Sequence, residues 1–378
     1  MAFERYLRSG QKLLRCGYTT GTCAALAAAG AARLLLTGQT PAQARLMTPK
    51  GWEVDVPLEQ PSLRDGTACC AVRKDAGDDA DATDGLLIWA AVRRSDEPGV
   101  TVDGGEGVGR VTRPGLDQPV GAAAINHVPR QMIASAVRAE CESAGYDGGL
   151  EVVISVPGGE AVARKTFNPM LGVTGGLSIL GTSGIVEPMS ERALIDTLEV
   201  EMRQAAAASR DVLLTPGNYG EDFLKTQGWD RWGVPVVKCS NFLGDALDMA
   251  AAGKFQRVLL VGHAGKLVKV AGGIMNTHSR WADCRTELFC AHAAVCGADT
   301  ELCRSLMDAA TSDACIALLD GAGLRGPVLA RLLDEIDRHL TRRAAGAYRI
   351  GAVMFSNEYG LLGQTETAEE IMREWTNV

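Results

Sequence analysis

Several familiar catalytic signatures are missing from this 378-residue chain. It has no Ser-His-Asp arrangement, nucleophile elbow or H-E-x-x-H pair, which argues against hydrolase and zinc-peptidase readings. No G-x-G-x-x-G follows a strand-like run, so the usual dinucleotide fingerprint is absent. The segment GHAGKLVKVAGG (Gly262–Gly273) is no phosphate loop either, because its glycines are too close and Leu267 follows Lys266. Eleven cysteines include no Cys-x-x-Cys pair. The nearest set is Cys284, Cys290, Cys296 and Cys303, with His292 between two of them. It reads as a thiol-bearing core helix, and no protein-bound metal is expected. Basic excess is missing too: a net charge of −8 argues against a nucleic-acid partner. The opening MAFERYLRSGQKLLRCGYTTG lacks the apolar core of a signal peptide, and no uninterrupted apolar run of spanning length is evident. A cytoplasmic protein without membrane contact is expected, its thiols free in a reducing compartment.

At this length two domains are the default. Up to about residue 190 the pattern mixes short strands with few helices, so residues 1–190 are expected to form an α+β domain. GYTTGTC (Gly17–Cys23) reads as a polar turn feeding an Ala/Leu helix that Gly38 stops, with Thr20 or Thr22 as cap. Strands are expected at Arg45–Thr48, Trp52–Val56, Thr67–Arg73, Leu86–Val92 and Glu151–Val156, and a helix near Pro129–Ser143. Lys165–Ser190 has five glycines, several hydroxyl residues and no charge between Lys165 and Glu187. That composition suits backbone held open for a ligand.

After Ser190 the grammar changes. Three strand–loop–helix units follow one another, their strands at Asp211–Leu214, Val234–Val237 and Gln256–Val261. Such units build a parallel sheet covered by helices, so residues 191–378 are expected to form a Rossmann-like α/β domain. Ligands bind outside the carboxyl ends of such strands, where TPGNYG, KCSNFLG and GHAGK would gather. Tyr348–Ser356 and Ala368–Trp375 read as a further strand and a terminal helix, without assignment of 346–378 to either domain.

Individual side chains carry less. Lys266 and Lys269 near a helix start suit carboxylates, or are solvated lysines. His263 follows a buried-looking strand, and His278 lies in a polar stretch with Asp283, Arg285 and Glu287. KDAGDDADATDG (Lys74–Gly85) holds five aspartates without the calcium-loop pattern, so it is either a cation site or an acidic loop between strands.

Taken in order, LRCGYTTGTCAALAA, VRKDAGDDADATDG, INHVPRQMI, the run ISVPGGEAVARKTFNPMLGVTGGLSILGTSGIVEPMS, LLTPGNYG, KCSNFLGDAL and VGHAGKLVKVAGGIMNTHSRWADCRTE resemble the CbiD family. The likeness runs from about Leu14 to Glu287, with His127 and Gly30 as departures. The family is cobalt-precorrin-5B C1-methyltransferase, of the anaerobic branch of corrinoid (cobalamin) biosynthesis. The resemblance implies an enzyme that moves a methyl group from S-adenosylmethionine to ring carbon C1, with cobalt carried by the substrate. Such a substrate is a flat polycarboxylate macrocycle. Candidates for holding it are Tyr18, Thr19, Thr20, Thr22, Arg130, Lys165, Thr166, Asn168, Thr182, Ser183, Lys266 and Arg285. The expected ligand edge offers Thr215, Gly217, Asn218, Asn241, Gly262 and Ala264 for the cosubstrate. The second strand ends in Lys238-Cys239-Ser240-Asn241, with no acidic ribose clamp. Should methylation require proton removal, His263 or His278 is the expected base. A corrinoid-binding carrier and a nicotinamide-dependent reductase are the competing readings. Homo-oligomerisation and contacts with neighbouring pathway enzymes are left open.

Overall fold

A computed structural model describes residues 3–9, 11–39, 42–166, 168–169 and 171–376. Phe167 and Met170 of the glycine-rich segment lie outside the described residues. The chain divides into two compact units, Met1–Glu191 and Arg192–Val378. Both mix helices and strands.

The first unit is organised by helix α1 (Thr20–Thr37) and a five-stranded sheet. Its strands are β1 (Glu59–Arg64), β2 (Thr67–Arg73), β3 (Leu87–Ser95), β4 (Val100–Gly104) and β5 (Gly149–Ser155), in the order β1-β2-β3-β5-β4. Only β4 and β5 run parallel. Strict alternation puts Ala68, Cys70 and Val72 beside Val92, Ala90 and Ile88, while Val152 and Ile154 continue the same face. All of them are fully buried. Because the side-chain period is two, this face has one register in which it can meet the core.

Helix α1 and helix α2 (His127–Ala144) cover that face. The run Thr20–Ala32 of α1 is buried on every side, as expected of a helix apolar all round. By length and composition α1 would also suffice to cross a membrane, contrary to the expectation that no segment of this kind exists. Its burial in this unit accounts for that apolarity. Its cap is Thr19, not the expected Thr20 or Thr22: the Thr19 hydroxyl accepts from the Thr22 N–H at 3.3 Å. Gly38 stops the helix in the left-handed region. Gly30 is explained by close approach, since a Cβ there would lie 2.4 Å from Leu58 Cδ1.

In the second unit, helix α3 (Glu191–Ala208) precedes β6 (Asp211–Thr215), α4 (Tyr219–Gln227), β7 (Val236–Lys238), α5 (Leu243–Ala252), β8 (Arg257–His263) and α6 (Ala264–Ala271). Four helices follow: α7 (Arg285–Val295), α8 (Thr300–Met307), α9 (Ser312–Gly321) and α10 (Arg325–Ala344). The chain closes with β9 (Arg349–Ser356), β10 (Gly360–Gln364) and α11 (Glu366–Thr376). The sheet order is β7-β6-β8-β9-β10, parallel except for the last pair. Thus β9 joins the second unit's sheet, which settles where Tyr348–Ser356 belongs. Neighbouring residues feed opposite faces. Val212, Leu214, Val258 and Leu260 join one core with α5 and α10, whereas Leu213, Leu259 and Val261 join another with Phe223 of α4 and Ile371 of α11. Such double burial gives near-continuous apolar runs. From β6 the chain goes to β7 on one side, then crosses to β8 on the other. The carboxyl ends of β6 and β8 therefore flank a topological switch point, where open α/β sheets have a crevice.

Candidate active site

The loops at this switch point are drawn together by Lys266. Its ammonium donates to Asn241 Oδ1 at 2.5 Å and to Ser240 O at 3.2 Å. Thr277 adds a hydroxyl bond to Asn241 Oδ1 at 3.2 Å. From the β6 loop, Gly217 meets the same lysine: a Cβ on Gly217 would lie 2.8 Å from Lys266 Cε, and its φ of +83° is itself a glycine conformation. Gly262 lets Pro216 and Leu267 approach, each 2.9 Å from where a Cβ would sit. Ala264 is fully buried at the start of α6, and Asn218 is exposed. Burial lowers the Lys266 pKa, and the nearby Lys269 and Lys238 act in the same direction.

Two hydroxyls here are buried without a hydrogen-bond partner, those of Thr215 and Ser312. Thr215 ends β6 and Ser312 begins α9, its Oγ 3.9 Å from where a Cβ on Gly265 would sit, and a buried orphan hydroxyl is costly unless something else satisfies it. Sequence reading selected Thr215 but missed Ser312, whose helix α9 is far away in the chain. The neighbouring Asp313 accepts from the Ser356 hydroxyl at 2.6 Å.

His263 ends β8 and caps α6. Its Nδ1 accepts from the Gly265 N–H at 3.1 Å, so the proton of the neutral ring is assigned to Nε2. Burial pushes its pKa below the ordinary value, with Asp313 opposing. The ring packs against Tyr219 and Phe355. His278 is exposed, and its Nδ1 accepts from the Arg280 N–H at 3.1 Å. In each histidine the lone pair a base would use is already engaged. Arg285 is paired with Asp283, the second guanidinium contact being 2.8 Å. Buried Lys269 donates to Thr277 O and Ala282 O, so it holds the loop and is not a solvated lysine.

In the first unit, GYTTGT is zipped to LGTSG. Ile185 and Val186 pair with Tyr18 and Gly17, and the Thr22 hydroxyl donates to Gly184 O at 2.6 Å. Thr20 exchanges bonds with the Leu180 backbone, its hydroxyl donating at 3.3 Å and accepting at 3.0 Å. Tyr18 donates to Arg73 O, and Ser183 bonds the Ile185 backbone. Arg130 spends its guanidinium on the carbonyls of Ile125, Val102 and Ala123. These residues build the scaffold. Thr182 and Lys165 are exposed, and so is His127, whose backbone N–H is capped by Asp117.

Thr19, Thr20, Thr166 and Asn168 do come together, lining a cavity of about 160 Å³. Asn168 donates to Gly176 O and accepts from Ser178, bracing the glycine-rich loop. The cavity is completed by Lys74, Asp81 and Thr83 of the aspartate-rich segment. Lys74 is the residue sequence reasoning missed: its side chain is 1% exposed, and its Nζ lies 3.1 Å from Asp81 Oδ2. The other aspartates are largely structural, Asp75 pairing with Arg15 and Asp84 accepting from Ala76 N–H. A larger cleft of about 380 Å³ is lined by the end of α9, the first turns of α10 and Leu362, none from these loops. The one G-x-G-x-x-G spacing, Gly321–Gly326, joins α9 to α10 with no strand before it.

Among the described residues no three His, Cys, Asp or Glu side chains converge as a metal would need. Burial pushes the Cys23 and Cys239 thiols up to about 12, so both are protonated near neutral pH.

Comparison with known proteins agrees along the chain. The CbiD family model matches residues 7–188, and the model for the CbiD C-terminal domain matches residues 276–366. The likeness therefore continues well past Glu287. A cobalt-precorrin-5B C(1)-methyltransferase of Ruminiclostridium cellulolyticum is 46% identical over 358 residues, covering 94% of this chain and 92% of that protein. The protein of the same name from Alkaliphilus metalliredigens is 42% identical over 370 residues, with 98% and 97% covered. A solved structure, the cobalamin biosynthesis protein (cbiD) from Archaeoglobus fulgidus, is 29% identical with a TM-score of 0.39, covering 71% of this chain and 83% of that one. With a family model matching in each unit and relatives above 40% identity over nearly its whole length, this chain belongs to the CbiD family.

Proposed function

We propose that this chain methylates C1 of cobalt-precorrin-5B with S-adenosylmethionine, giving cobalt-precorrin-6A in corrinoid biosynthesis. The relatives that carry this activity in their name align over both units, so neither half of the machinery is missing from the alignment. Cobalt arrives with the substrate. The second unit is read as a Rossmann-like domain with the cosubstrate at its switch point, and the first as the α+β domain that holds the macrocycle. The observation that carries the cosubstrate assignment is the Lys266 hub at the switch point, with orphan hydroxyls on Thr215 at the end of β6 and on Ser312 near Gly265. They fit a ligand with many polar atoms.

S-adenosylmethionine supplies an electrophilic methyl group when bound. The protein's share is then positioning and exclusion of water. Thr215 and Ser312 would bond the cosubstrate's polar groups. Lys266 would hold its carboxylate, because it sits with the β6 and β7 loops at the switch point. Gly217 and Gly262 keep the floor open to backbone approach. His263 caps α6 and offers Nε2–H as a donor, so its role is positioning. On this reading no side chain needs to attack the substrate. In the first unit the cavity lined by Thr19, Thr20, Thr166 and Asn168 would take part of the macrocycle, with Lys165 and Thr182 on the exposed surface. The free thiols suit the cytoplasm. Replacing Lys266 by Met tests the division: KM for S-adenosylmethionine should rise at least tenfold while KM for the macrocycle holds. The reverse pattern would reassign Lys266 to the macrocycle.

A further inference from the structure

The first-unit cavity holds a cation that its surroundings leave under-used. Lys74 follows β2, and only 1% of its side chain is exposed. Its ammonium pairs with Asp81 Oδ2 at 3.1 Å, and no other hydrogen-bond partner meets Nζ among the described residues. The other oxygen of Asp81 is taken by the Thr83 N–H at 2.8 Å and hydroxyl at 2.7 Å, which fixes the carboxylate in place. Desolvation disfavours the Asp81 charge, but Lys74 and the Thr83 bonds outweigh it and keep the carboxyl below its usual range. A buried ammonium with idle donors is costly unless a further acceptor completes its shell.

The remaining lining defines that acceptor. The hydroxyls of Thr20, Thr166 and Ser178 already donate to Leu180 O, Ala163 O and Asn168 Oδ1. Among the described lining side chains, the donors left for a guest are Lys74 Nζ and the second N–H of Asn168. Thr19 and Thr20 bring the N-terminus of α1 to the same cavity, and its partial positive charge favours an anion. Leu177, Leu180 and Val186 supply apolar wall suited to methylene groups. Drug-sized ligands occupy roughly 300–1,000 Å³. A cavity of about 160 Å³ is too small for a macrocycle and large enough for one arm of it.

We infer that this cavity is a subsite for a single carboxylate-ended side arm of the ligand, held by Lys74 Nζ and Asn168 Nδ2. Asp81 positions Lys74 and does not itself touch the reacting ring. The inference rests on reading the substrate as a polycarboxylate macrocycle.

The test uses the full chain with cobalt-precorrin-5B, and propionate as a bare-arm probe. Lys74→Met should raise KM for the macrocycle roughly ten- to hundredfold, the range for a charge-assisted bond. The kcat should stay within about threefold and KM for S-adenosylmethionine should not move. The double variant Lys74→Met/Asp81→Leu removes both charges, so it should fold well and still show the raised KM. Propionate should bind the wild type and not Lys74→Met, read by saturation-transfer NMR. An unchanged macrocycle KM in a folded variant overturns the inference while the proposed function stands. Absence of methyl transfer by the wild type, with propionate binding still dependent on Lys74, sinks the proposed function and keeps the subsite. Loss of kcat alone overturns it as well.

Discussion

His263→Asn separates two roles that one histidine could play. Its Nδ1 accepts the Gly265 N–H, a bond available only to the unprotonated nitrogen. Protonation puts two donors face to face and removes the cap, at a cost of about 0.5–2 kcal/mol. The sign follows from the lowered pKa. A group whose folded pKa is depressed contributes stability that is fully present above its unfolded value, about 6.5 for histidine. That contribution is lost as pH falls through the folded value. Asp313 moderates the effect, while Tyr219 and Phe355 supply aromatic packing around the ring. For a unit of this size, 1 kcal/mol corresponds to about 2–4 °C in Tm. Asparagine caps as well as any residue and does not titrate. His263→Asn should therefore match the wild-type Tm at pH 7.5 within about 2 °C. It should exceed it at pH 5 by a few degrees, as read by differential scanning calorimetry. Its single-turnover methylation rate should stay within about fivefold of wild type, because the ring positions and does not accept a proton. An identical pH slope of Tm in both proteins refutes the cap argument. A rate loss of 10² or more, the ordinary contribution of a general base, would restore His263 as that base.

Gly217→Ala places a side chain at φ +83° and against Lys266 Cε. It should cost about 1–2 kcal/mol and weaken S-adenosylmethionine binding several-fold by calorimetric titration, leaving macrocycle affinity unchanged. Gly30→Ala gains helix propensity but meets Leu58 Cδ1, so a net loss of about 1 kcal/mol in denaturant unfolding is expected. Trimming Leu58 to Val in the same chain should recover most of it. Lys269→Met leaves Thr277 O and Ala282 O without their donor, which should lower stability by about 1–3 kcal/mol and speed hydrogen exchange between residues 276 and 284. Unchanged exchange there would mean that the loop is held by other contacts.

What could be read from sequence follows the range of the forces involved. Strand β2 matches its expected span, Thr67–Arg73, because alternation and flanking turn residues are local signals. Likewise β6, β7 and β8 lie within a few residues of expectation, because each strand–loop–helix unit is a local signal, and their loops meet at Lys266. Helix α10 escaped that reading although Val328, Leu332 and Ile336 keep helical spacing, because no strand punctuates residues 285–344. The candidate site was legible only in part. Thr19, Thr20, Thr166 and Asn168 share a cavity, as a polar, glycine-rich composition suggested. Tyr18, Thr22 and Arg130 have the same polarity but are spent on backbone partners, a distinction that depends on contacts up to 162 residues apart. Lys74 looked like one cation before a run of aspartates. It shares its cavity with segments near residues 20 and 180, which no local window contains.

The central claim is methyl transfer to a corrinoid. The direct measurement incubates the purified protein with cobalt-precorrin-5B and S-adenosylmethionine carrying a ¹³C-methyl group, then follows the macrocycle by mass and NMR. One labelled methyl at C1, in step with S-adenosylhomocysteine release, is the predicted result. Macrocycle returned bound but unaltered, or altered only when a reduced nicotinamide is added, would contradict it.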